Sequence, residues 1–121
     1  MSLFDSLLVA HLVGDWLLQT EWQALNKTKN WRAMWAHVTV YHLIILVVLW
    51  IHFGFQDVRI YLVIAALALS HAYLDRRWPE IAIMRALRII VDRDPERWLL
   101  IAIDQCLHIV LLAVAALYLL Q

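Results

Sequence analysis

With 121 residues, 64% of them hydrophobic, and a mean hydropathy of +0.72, the chain carries more apolar surface than a soluble fold of its length can hide. Ten Lys and Arg balance ten Asp and Glu, so a formal net charge of zero gives no ground for inferring a nucleic-acid partner. The one cysteine, Cys106, excludes an internal disulfide and reads as a small buried apolar residue.

A hydrocarbon core of about 30 Å takes roughly 20 helical residues, and four stretches approach that length: 3–20, 31–52, 59–75 and 98–120. The first opens with MSLFDSLLVAHLVGD, which has neither a basic leader nor a small-residue cleavage site, so it is expected to stay in the mature protein. A polar link with Asn26, Lys27, Lys29 and Asn30 precedes the second stretch, and an HFGFQD turn containing Gly54 precedes the third. These connections predict an all-α integral membrane protein, a single domain built as an up-down bundle of four transmembrane helices. Between the third and fourth helices, Trp78, Ile81, Met84, Leu87 and Val91 recur at spacings of three and four. They predict an amphipathic interfacial helix over 79–91, with Pro79 and Glu80 in its first turn. Trp31, Trp35, Trp78 and Trp98 fall near helix ends on one side, as interfacial anchors do.

Charge orients the bundle. One face receives only Arg59; the other receives Lys27, Lys29, Arg32, Arg76, Arg77, Arg85, Arg88, Arg93 and Arg97. The positive-inside rule makes the second face cytoplasmic and leaves both termini outside, as expected for a multi-pass protein of a bacterial cytoplasmic (inner) membrane.

Polar residues interrupt the apolar runs at related positions. His11 and Asp15, then His71 and Asp75, are spaced to share a helix face, and Asp104 and His108 repeat the pair in reverse on a helix running the other way. Counted from the cytoplasmic ends, Asp15, His37, His71 and Asp104 lie roughly 6 to 10 Å deep and His11 and His108 roughly 13 to 15 Å, with Asp75 and Gln19 near the mouth. The outer half, with LIILVVLW in the second helix, offers no such set. An ionised Asp in a membrane helix costs about 2.5 to 3.5 kcal/mol, so three of them demand partners. Histidines are the evident ones, and His, Asp and water are the ingredients of a zinc site. His37 is preferred to His42, about 140° around the same helix, because of its depth, while His52 belongs to the outer interface. Arg76 and Arg77 follow the third pair directly, where they suit a lipid or nucleotide phosphate, although topology alone also explains them. Ala65, Ala66, Ala68, Ser70 and Ala72 read as a close-packing face.

The segments HLVGDWLLQTEWQALNK, SHAYLD and DQCLH, with the histidine early in the second helix, resemble the small bacterial membrane proteins grouped as the domain-of-unknown-function family 3307. The resemblance spans most of the chain. It implies no activity, but puts emphasis on His11, Asp15, Gln19, Lys27, His37, His71, Asp75, Asp104, Gln105 and His108.

The leading expectation is a hydrolase-like centre using a divalent metal such as Zn. His11, His37, His71 and His108 are candidate metal ligands; Asp15, Asp75 and Asp104 are candidate catalytic carboxylates. Gln19, Lys27, Arg76, Arg77 and Gln105 would bind substrate or phosphate, the substrate being a lipid or lipid-linked group arriving laterally. Membrane lipids are the expected partners, and a homo-oligomer could complete the site. An ion or proton transporter or channel component, and a scaffold with a structural His–Asp network, stay open as alternatives.

Overall fold

The computed structural model describes residues 1–87 and 97–121, which are helical with no strand among the described residues. The helix α1 (Leu3–Leu12) starts at a reciprocal cap: Ser2 Oγ accepts from the Asp5 amide and Asp5 Oδ2 accepts from the Ser2 amide. It does not run on to Thr20 as one span. The backbone widens into a π turn over Val13–Leu17, and Thr20 and Gln23 form a second reciprocal cap that starts a new helix, α2 (Glu21–Asn26).

Asn30 caps α3 (Trp31–Phe53), which ends at Gly54 with φ 77°, and Asp57 caps α4 (Val58–Asp75). A left-handed Arg77, φ 62°, turns the chain into α5 (Trp78–Ala86), with Pro79 in its first turn. The expected interfacial helix 79–91 is thus helical over its first part; its positions 88–91 lie outside the described residues, as do Arg93, Asp94 and Pro95. The last helix is α6 (Arg97–Leu119).

Among the described residues three helices are long and apolar enough to cross a membrane: Trp31–Phe53, Val58–Asp75 and Trp98–Leu119. The helices α3 and α6 each pack against both α1 and α4, closing a four-sided arrangement. Leu7, Ile45, Leu49, Ile60, Leu112 and Leu119 lie in the main apolar core, while Met34, Val38 and Ala72 form a smaller one, with Ala68 against it. Ala65 and Ala66 face outward instead, so only part of the alanine-rich stretch packs.

Between these apolar clusters sits a buried polar layer that includes His11, Asp15, His37, His71, Asp75, Asp104 and His108, while Leu12, Leu43, Val47, Leu62, Leu69, Val110 and Leu117 are exposed. Polar inside and apolar outside is the distribution of a membrane protein. Cys106 is exposed, contrary to the expected burial. Two residues beyond Asp104, it is rotated about 200° from the polar face.

Gly14 sets the approach of α1 to α3. A Cβ there would meet Tyr41 Cδ2 at 2.9 Å and Tyr41 Cα at 3.3 Å, one contact being with backbone that cannot swing aside. Gly14→Ala is predicted to destabilise the fold by about 1–3 kcal/mol. Unfolding in detergent micelles measures this, and a transition unchanged from the wild type would contradict the tight contact.

Candidate metal centre

The π turn re-aims Asp15. In an α-helix it would share a face with His11, but the wider turn separates their partners. Asp15 meets Lys27, His37 and Gln105, whereas His11 meets Tyr41 and Gln105. Gln105 Oε1 can only accept, so His11 Nε2 donates to it at 3.0 Å, as Trp16 Nε1 also does. Nδ1 of His11 is then left to accept from the Tyr41 hydroxyl at 3.0 Å. With both nitrogens engaged, His11 is not among the ligand atoms that converge, correcting its assignment as a metal ligand.

Those atoms are Asp15 Oδ1, His37 Nε2, His71 Nε2 and Asp75 Oδ2. His37 Nε2 lies 3.0 Å from His71 Nε2, 3.1 Å from Asp15 Oδ1 and 3.3 Å from Asp75 Oδ2, and His71 Nε2 lies 3.2 Å from Asp75 Oδ2. A tetrahedral ion with ligands at about 2.0–2.2 Å needs ligand atoms about 3.3–3.6 Å apart, within a few tenths of an ångström of these four edges. One imidazole nitrogen carries one proton or one lone pair, so His37 Nε2 cannot satisfy all its neighbours by hydrogen bonds. A cation at the centre satisfies them together. These buried groups can hold a metal ion.

Lys27 is already nearby. Its Nζ is 2.9 Å from Asp75 Oδ2 and 3.4 Å from both Asp15 Oδ1 and His37 Nε2, against one side of the ligand cluster. Burial acts to lower its pKa, but Asp75 and Asp15 prevail and raise it, so the group is an ammonium. The helix α2, which sequence periodicity left as a polar link, folds back to deliver this charge.

A cavity of about 200 Å³ adjoins the centre, with Asp15, Gln19, Lys27, Asp75, Arg77, Asp104 and Gln105 on its wall. Gln19 Oε1 is buried there without a partner among the described residues. Arg76 is not on that wall: its guanidinium stacks 4.5 Å from the Trp31 ring and 5.6 Å from Trp78, so of the two expected phosphate-binding arginines only Arg77 reaches the cavity. Asp75, expected near the mouth, is 3% exposed and central. His108 stacks on His11 and meets the His71 ring at 4.5 Å, but neither of its nitrogens joins the four-atom group.

The sequence reading missed Tyr41, Trp16 and Glu80. The first two resemble ordinary core and interface aromatics, and only their polar tips reveal a role. Glu80 lies in the first turn of α5 as expected, but it is fully buried, with both oxygens unpartnered among the described residues.

The fold and site therefore define a membrane protein with a buried His/Asp cluster able to bind a metal ion. The chain belongs to the family described as protein of unknown function (DUF3307), which matches residues 3–121. No curated protein and no solved structure matches it.

Burial pushes the Glu80 carboxyl up from 4.5 to about 7; its own backbone amide opposes this, Asp104 adds to it, and His108 and Arg77 oppose it. Between those values native Glu80 holds a proton that the unfolded chain has released. The metal-free protein is therefore predicted to lose stability as pH rises from 4.5 to about 7, by on the order of 1–3 kcal/mol. Glu80→Gln should flatten this part of the profile, which denaturation in detergent across that pH range checks; identical slopes for both proteins would refute it.

Proposed function

We propose that this protein is a membrane-embedded, metal-dependent hydrolase acting on a lipid or lipid-linked phosphate or acyl ester. The observation that carries the reading is the buried convergence of Asp15 Oδ1, His37 Nε2, His71 Nε2 and Asp75 Oδ2 beside a polar cavity. In this reading the ten residues of α1 and five of the π turn supply a short fourth crossing. Both termini lie outside, α5 lies along the membrane surface, and the cavity opens to the basic, cytoplasmic side of a bacterial inner membrane. Membrane lipids are then both solvent and substrate source, and a second copy of the chain could close the lateral opening.

A metal ion held in the centre would lower the pKa of a bound water toward about 7 and polarise the ester oxygen. Asp15, His37, His71 and Asp75 hold it, leaving Asp104 on the cavity wall as proton acceptor through Oδ2, the oxygen that accepts from Gln105 at 3.3 Å. Water oxygen forms the new bond to phosphorus or carbonyl carbon, the bond to the lipid alcohol breaks, and Asp104 returns the proton to the departing alkoxide. With an ion held there, Lys27 on its flexible stem would, with Arg77 on the same cavity wall, pair with the anionic group of the substrate.

The position of Lys27 also favours a second reading. Its ammonium neutralises part of the Asp15/Asp75 charge without any metal, as in a proton-translocating or purely structural network. Metal dependence separates the two.

Zn²⁺-reloaded protein in mixed micelles is predicted to release phosphate or fatty acid from lipid substrates, with Asp15→Asn and His71→Ala losing both bound ion and activity. Gln105→Ala, which frees the Asp15 carboxylate, should weaken ion binding about 10–100-fold. Hydrolysis that survives chelation and both ligand substitutions would sink the proposal, whereas proton flux into proteoliposomes abolished by Asp15→Asn without metal would favour the second reading.

A further inference from the structure

Asp75 belongs to two groups. Besides the four-atom set, it shares a point with Asp104 and His108, one ligand atom of each lying within 4.8 Å of the others. We infer that Asp75, Asp104 and His108 form a second cation site that shares Asp75 with the first, so that the centre takes two divalent ions. This inference rests on the metal-centre reading above and adds its nuclearity.

The donor atoms are prepared for such a role. Nδ1 of His108 donates to the Asp104 carbonyl at 2.9 Å, which fixes the tautomer and leaves Nε2 with a free lone pair. Among the described residues that Nε2 is buried with no hydrogen-bond partner, and Asp104 Oδ1 makes no hydrogen bond, its contact with His108 Nδ1 being a long 3.4 Å; the two residues are 3% and 7% exposed. A buried lone pair without a donor is costly, and two on residues that share a candidate cation group are what an electropositive ligand would satisfy. Asp104 can serve the second ion through Oδ1 while keeping Oδ2 toward Gln105, so its place as proton acceptor is unaffected.

Charge leads to the same conclusion. Asp15, Asp75 and Asp104 are all buried, and the one ammonium near them, Lys27, reaches Asp15, Asp75 and His37. One ammonium does not balance that many carboxyl groups. Gln105 ties the halves together, because its Nε2 donates to Asp15 Oδ2 at 2.8 Å and to Asp104 Oδ2 at 3.3 Å, orienting one carboxylate of each site.

The two sites differ in chemistry. The first offers two imidazoles and two carboxylates, with a further position for water on the side that Lys27 covers; the second offers one imidazole and two carboxylates and leaves more positions open for water and a substrate oxygen. Paired ions about 3.5–4 Å apart clamp the attacking and leaving oxygens of a displacement at phosphorus. The mixed N/O donor set suits Zn²⁺ or Mn²⁺, and the shared carboxylate makes a phosphate ester the better matched of the two ester classes.

Purified full-length protein, stripped by chelator, reloaded with Mn²⁺ in detergent and desalted, tests this by metal analysis and electron paramagnetic resonance. Two ions per chain with an exchange-coupled spectrum are expected for the wild type. Asp104→Asn and His108→Ala should retain one ion and show an isolated-ion spectrum. A wild type that binds one uncoupled ion, unchanged in both variants, overturns the second site and leaves the first standing. A wild type that binds none overturns the metal-centre reading itself. Because the wild-type spectrum alone distinguishes these outcomes, a variant that fails to fold does not spoil the test.

Discussion

Two carboxylates that cannot be solvated dictate the rest of this structure. Asp15 and Asp75 are each less than 5% exposed and approach the same imidazole nitrogen, His37 Nε2. Left bare, such a pair costs several kcal/mol per charge. Every feature that departs from a plain helical bundle contributes a partner: the π turn aims Asp15 inward, α2 returns Lys27 to the centre, and Gly14 lets α1 come close enough to α3 for His11 to reach Tyr41.

The packing follows from the same demand. A polar layer lies between the apolar cluster around Leu7, Ile45, Ile60 and Leu112 and the smaller one around Met34, Val38 and Ala72. Their apolar contacts hold the helix axes, and the layer sets the register, since sliding one helix by a turn would separate His37 from His71 and Asp75. Hydrogen bonds between membrane helices are individually weak, about 0.6 kcal/mol on average. A cluster this extensive therefore costs more than register alone requires, which is the physical argument for chemistry at the site.

Much of the site was legible because a charged residue in an apolar run stands out. Asp15, His71, Asp75, Asp104 and His108 were all recognisable this way, and matching their depths across antiparallel helices put them in one layer. Periodicity failed where the backbone is not an ideal α-helix: it paired Asp15 with His11, and the π turn undid that pairing. The T-x-x-Q signature at Thr20 and Gln23 was present as the mark of a new helix start, but it straddles the end of the apolar stretch 3–20, where the chain reads as passing straight into a polar link. Lys27 stood out only through family resemblance, since its place in a polar link does not reveal that the link folds inward. Glu80 was hidden by its charged surroundings, because composition describes a segment and not the one side chain in it that turns to the core.

The identity of the residue at position 27 sharpens the functional reading. An arginine would bind Asp15 and Asp75 through a planar fork of fixed donors, a geometry suited to a permanent ion pair. Lysine instead presents a compact ammonium on a flexible stem, and here that ammonium rests against one side of the ligand cluster, with contacts of 2.9 and 3.4 Å to its carboxylates. A point charge on a flexible stem can leave when a divalent ion arrives, and the wall it shares with Arg77 gives it somewhere to go. A cluster selected only for stability gains nothing from such a removable cation. One that must take up an ion, or pass a proton, does.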